Sequence, residues 1–138
     1  ARPTLRAMAS PDVTFLGNLD RRTVLPTLYA SADAFLFASH TETLGLVILE
    51  AMASGLPVIA APAGGVADHL RDDENGLAYP PGDVAAIAEA IARVATTPEL
   101  ARRLGAGGRQ TAERLSWAEE LDRLDQQYRE LLPANLGA

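Results

Sequence analysis

Four short apolar runs set the terms for what this chain can fold into: "VTFLG" (13–17), "DAFLFAS" (33–39), "PVIAAP" (57–62) and "GLAYP" (76–80). None shows a sustained alternation of apolar and polar residues, so each reads as a strand buried on both faces. Helical stretches separate them. "VLPTLYASA" (24–32) is weakly helical, with Thr23 as its N-cap and Pro26 tolerated in the first turn. The segment 44–54 reads as a helix from its length and its Ala, Leu and Met content, and Gly55 and Pro57 stop it. "GGVADHLRDDENG" (64–76) gives a glycine turn, a short helix and a solvated acidic loop ending in the turn signal Asn75-Gly76. Buried strands alternating with helices predict an α/β fold, a parallel sheet with helices on both faces.

After Pro81 the pattern is helical to the end. Asp83 caps a helix through Ala95, and Thr97-Pro98-Glu99 supplies an N-cap, a first-position proline and a first-turn acid for the next. Ser116-Trp117-Ala118-Glu119 is a capping box that opens a third helix, with Leu121, Leu124 and Tyr128 along one face and Trp117 as a core anchor. No repeat, low-complexity tract or internal linker interrupts the 138 residues, which form a single domain.

Composition narrows the function classes. The 48% hydrophobic and 22% charged content is that of a globular protein with a real core. With no cysteine, disulfides and thiolate metal sites are excluded, and a reducing cytoplasm is the expected location. A net charge of −6 argues against a nucleic-acid partner. The apolar runs are too short to span a bilayer. The chain begins at Ala1 with an incomplete-looking helix, which points to a piece of something longer.

Two carboxylates then demand an explanation. From Leu44 to Ala53 every side chain is apolar or small except Glu50, and Glu42 stands just before the run. An apolar-all-round helix is sandwiched between layers, where an unpaired charge costs several kcal/mol, so Glu50 must reach a cleft or a partner. In open α/β sheets the cleft lies beyond the carboxyl ends of the strands, where Glu42 falls. The N–H groups at the start of that helix suit phosphate, and Gly45 lets a ligand approach the backbone. Eight residues of helix would separate the two acids by roughly 12 Å. A glycoside hydrolase pair needs about 5 to 9.5 Å, so the two act as separate clamps on one long ligand.

The stretch E-T-L-G-L-V-I-L-E, followed by A-M-A-S-G-L-P-V-I-A, resembles the E-x7-E motif of retaining glycosyltransferases of the GT-B fold, especially family 4. "VTFLGNL", "LYASADAFLFAS", "GGVADHL", "NGLAYPPGD" and "LSWAEELDRLDQQY" fall in the order of that family's C-terminal, donor-binding lobe, so the resemblance covers about residues 9 to 131. It implies a Rossmann-like lobe spanning 1–138 as the truncated, nucleotide-sugar-binding part of a longer enzyme. Glu42 would contact hydroxyls of the donor sugar. The backbone at Leu44, Gly45 and Leu46, with Thr43 close by, would hold sugar or diphosphate oxygens. Glu50 would accept from the ribose hydroxyls, and Asn18 and Leu19 would border the base. The implied reaction moves a sugar from a UDP-, GDP- or ADP-linked donor to an acceptor hydroxyl with retention, without a cofactor or required metal. A cytoplasmic enzyme is implied, with membrane-peripheral attachment of the full-length protein left open.

The departures from that family matter too. Its Gly-Arg region and diphosphate-neutralising Lys are not found, and an N-terminal acceptor lobe is expected elsewhere. Leu44 replaces a common aromatic, and Asp68 stands where Glu is frequent. The chain alone is therefore expected to be inert in transfer, a weak nucleotide binder, and prone to self-association through uncovered sheet edge. Gly64-Gly65 reads as a tight turn rather than a ligand cradle, and His40 and His69 as surface histidines. Two other readings remain open: a non-catalytic α/β interaction module, and a GT-B sugar-nucleotide epimerase lobe.

Overall fold

A computed structural model of the chain describes residues 4–39, 41–115 and 117–131. Ten elements follow one another: α1 (Leu5–Met8), α2 (Leu25–Ser31), β1 (Phe35–Phe37), α3 (Leu46–Ala53), β2 (Val58–Ala60), α4 (Val66–His69), β3 (Leu77–Ala78), α5 (Val84–Thr96), α6 (Pro98–Arg114) and α7 (Trp117–Leu131). The strands form one parallel sheet in the order β1-β2-β3, with Phe35 opposite Val58 and Ile59 opposite Leu77.

β2 is the centre of the molecule, and its period-two alternation builds two cores. Val58 and Ala60 point into a cluster with Ile48, Ala51 and Met52 of α3 and Val66 of α4. Ile59 points the other way, with Leu77, Tyr79, Ala90, Val94 and Leu104. Helices therefore cover both faces of the parallel sheet, as its apolar strands predicted. The Tyr79 hydroxyl donates to the Phe37 carbonyl at 2.9 Å and ties one edge strand to the other. Burial pushes its phenol pKa up.

The expected first strand does not form. Residues 13–17 carry no ladder, and Val13, Phe15 and Leu16 are exposed. A strand exists only through a neighbour's hydrogen bonds, and β1's outer edge does not pair with this run among the described residues. Phe15 instead lies beneath the Arg6 guanidinium, 4.7 Å from its ring centroid. β1 is likewise not buried on both faces: Leu36 is 43% exposed.

Local signals explain most boundaries. Pro26 sits in the first turn of α2, as expected, but Asp20 rather than Thr23 organises that entry. Its Oδ1 accepts from the Arg22 N–H, the Thr23 N–H and the Thr23 hydroxyl, which holds its carboxyl below the usual range. α3 ends in a Schellman motif: Gly55 N–H donates to Met52 O at 2.9 Å and Leu56 N–H to Ala51 O at 3.1 Å. Asp83 caps α5 through the Ala86 N–H at 2.9 Å. Leu121, Leu124 and Tyr128 of α7 form an exposed stripe. The capping serine at 116, His40 and the side chain of Trp117 lie outside the described residues.

The acidic loop 72–75 is more than a solvated turn. Asn75 is 5% exposed; its Oδ1 accepts from the Arg71 N–H at 2.7 Å, and its Nδ2 donates to His69 O at 2.8 Å and Thr111 Oγ1 at 3.0 Å. Asp73 meets Arg93 and Arg103, both at 3.2 Å, on the surface. Removing the buried amide leaves groups without partners, whereas exposed ion pairs contribute little. Asn75→Ala should therefore cost about 1–3 kcal/mol in urea unfolding and Asp73→Asn less than about 1 kcal/mol. Equal losses would contradict this ranking.

Candidate functional site

The site begins where the chain leaves β1. Gly45 takes a left-handed conformation (φ 68°) and turns the loop into α3. Because of that turn, three successive N–H groups converge. One carboxylate oxygen of Glu42 accepts from Thr43 at 3.1 Å, Leu44 at 3.4 Å and Gly45 at 3.3 Å. Such a nest of backbone dipoles is an anion-binding concavity, occupied here by the chain's own carboxylate.

The loop is fastened from the other crossover. The Gly65 N–H donates to Glu42 O at 2.9 Å. A Cβ at Gly64 would run into the Glu42 carbonyl, and one at Gly65 would stand 2.7 Å from the Leu44 carbonyl carbon. The glycine pair thus does make a turn (Gly64 φ 56°), and it also lets two backbones touch. His69 completes the clamp: Nε2 lies 3.2 Å from Leu44 O, so this nitrogen carries the proton and donates. The expectation of a surface histidine is corrected, since His69 is half-buried and structural to the loop.

α3 packs Ile48, Ala51 and Met52 into the core, but it is not sandwiched on every side. Its other flank, with Leu46, Leu49, Glu50 and Ala53, walls a cavity of about 860 Å³ that Thr43, Leu44 and His69 also line. That volume is in the range of small-molecule sites. Glu50 is therefore the polar residue on the open flank of a half-buried helix. The Arg21 guanidinium binds Glu50 Oε1 through Nε at 2.8 Å and through Nη2 as well. Oε2 is buried and has no partner among the described residues. Beneath the pair, burial pushes the Tyr29 phenol pKa up, and the Glu50 charge adds to the shift.

The structure therefore brings Thr43, Leu44, Leu46 and Glu50 to one cavity; Glu42 and Gly45, their neighbours in the loop, do not line it. Asn18 and Leu19 lie in the loop just before Arg21 and do not line that cavity. Arg21, His69 and Arg123 do line it and were not anticipated as site residues. Arg21 lies 29 positions from Glu50, and no local pattern signals that pairing. Among the described residues no three His, Cys, Asp or Glu side chains gather as a metal site, and no helix is long and apolar enough to cross a membrane.

Comparison with known proteins gives this geometry its context. Residues 4–111 match the family "Glycosyl transferases group 1". The chain is 42% identical over 113 residues to the D-inositol 3-phosphate glycosyltransferase of Saccharomonospora viridis, covering 82% of this chain and 26% of that protein. Sucrose-phosphate synthase from Thermosynechococcus elongatus superposes with a TM-score of 0.76 at 39% identity, over 86% of this chain and 30% of the other. HepE from Anabaena, solved with UDP-glucose, also gives 0.76, at 26% identity over 92% and 34% of the two chains. The chain spans about a quarter of the length of the curated relatives it matches. Its α/β architecture is that of GT-B glycosyltransferases. The chain belongs to the group 1 glycosyl transferases.

Proposed function

We propose that this chain is the donor-binding part of a retaining glycosyltransferase that moves a sugar from a nucleotide-diphosphate sugar to an acceptor hydroxyl. The observation that carries the reading is Glu50 Oε2, a buried acceptor on the wall of a large cavity with no partner among the described residues. A ribose brings vicinal hydroxyls, the donors such an oxygen lacks. The nest at Thr43, Leu44 and Gly45 supports the same reading, because fixed N–H dipoles suit the oxygens of a diphosphate or its sugar. The likeness to HepE, a protein solved with UDP-glucose, favours a nucleotide sugar over other long anions.

In this account Glu42 has two positions. In one its carboxylate accepts from the nest. With a donor it releases the N–H groups and accepts from hydroxyls of the sugar. The charge that builds on the departing diphosphate is met by these preorganised dipoles, so the reaction needs no metal ion. Asn18 and Leu19, in the loop just before Arg21, border the base. The acceptor is held by residues outside this chain, which binds a donor without transferring its sugar.

Two results follow for calorimetric titration of the chain with UDP, GDP and ADP. Glu50→Ala should weaken the preferred nucleotide by about tenfold, the worth of a hydrogen bond to a charged group, while circular dichroism and Tm stay near wild type. Unchanged affinity would exclude the ribose role. Glu42→Ala should leave UDP binding intact or tighten it, and should reduce the advantage of UDP-glucose over UDP about fivefold. An undiminished advantage would remove Glu42 from sugar recognition.

A further inference from the structure

The way Arg21 holds Glu50 assigns a role to a residue that no sequence pattern marks. An arginine usually meets a carboxylate fork to fork, one N–H on each oxygen. Here Nε and Nη2 both donate to Oε1, and Oε2 is left buried and without a partner among the described residues. The pairing is end-on, and it presents one carboxylate oxygen while anchoring the other. Arg21 itself is aimed by its neighbour: Asp20 gathers the Arg22 and Thr23 N–H groups and the Thr23 hydroxyl, which pins the turn from which Arg21 projects.

The burial of the two partners is unequal. The Arg21 side chain is 64% exposed and that of Glu50 29%. Arg21 is therefore no core strut, and its loss leaves no cavity in the apolar interior. Both residues line the 860 Å³ cavity and a second one of about 470 Å³ on the α2 side, so the pair forms part of the wall between them. A free glutamate on a helix flank samples several rotamers. An arginine on Oε1 removes that freedom. Two of its five donors are committed to Oε1.

We propose that Arg21 is the positioning residue for Glu50: it fixes the carboxylate's rotamer, so that Oε2 receives the vicinal hydroxyls of the donor's ribose. This rests on the donor-site reading above, and the test separates the two. UDP and 2′,3′-dideoxy-UDP are titrated by calorimetry into wild type, Arg21→Met, Arg21→Lys, Glu50→Ala and the Arg21→Met/Glu50→Ala double variant, with Tm measured for each. Arg21→Met should weaken UDP about five- to tenfold, leave the dideoxy analogue unchanged and add nothing in the Glu50→Ala background, since both changes remove the same contact. Arg21→Lys should recover part of the loss, as a point charge without the guanidinium's geometry.

Equal loss for both ligands would mean that Arg21 meets the phosphates or merely supports the fold. Tighter UDP binding by Arg21→Met would make it a competitor of the ribose. Either result overturns the proposal, as does unchanged affinity for UDP. If Glu50→Ala loses UDP selectively and Arg21→Met does not, only this inference falls. If Glu50→Ala binds both ligands like wild type, or wild type binds no UDP, the donor-site reading falls and takes the inference with it.

Discussion

The hydrogen bond from the Gly65 N–H to the Glu42 carbonyl joins the two crossover segments of the sheet, and the cavity depends on it. The loop after β1 and the loop after β2 meet backbone to backbone at Gly64-Gly65, where a side chain would keep them apart. With His69 holding Leu44 O, the contact fixes the direction in which three N–H groups point. It also fixes where α3 starts, and hence which flank of α3 faces the cavity. Without that contact the nest would be an ordinary loop, and Glu50 would have no defined opposite wall.

Most of the architecture was legible because strands and helices announce themselves locally. β2 reads as a buried central strand from "PVIAAP", and α3, α5 and α6 begin or end at glycine, proline and capping residues visible in the sequence. The failures share a physical cause. "VTFLG" has strand composition, but a strand is a pairwise object and this run lacks a partner among the described residues. Asn75 carries a turn signal and makes a turn, yet its burial comes from Thr111 on α6, 36 residues away. Arg21 was invisible as a site residue for the same reason. His69 read as a surface residue because the carbonyl it meets belongs to another loop.

Glu50 is the clearest case in which a broken local rule marked a site. A carboxylate on an apolar helix is a conflict between pattern and chemistry, and such conflicts concentrate where function overrides packing. The conflict proved smaller than the sequence implied, since α3 is buried on one flank and open on the other. It is not abolished: Arg21 answers one oxygen and leaves the second unanswered. Glu42 shows the opposite arrangement, a carboxylate satisfied by the N–H groups that a donor would claim.

The central claim is that the nest and the flank of α3 form one donor site. The most direct test follows backbone amide resonances of the chain while UDP-glucose is added. The account predicts that the amides of Thr43, Leu44 and Gly45 shift together, as ligand oxygens replace the Glu42 carboxylate, with Glu50 and its neighbours on α3 moving at the same ligand concentration. Shifts confined to the adjoining polar cavity around Asn75 and Thr111, with residues 43–50 silent, would contradict it.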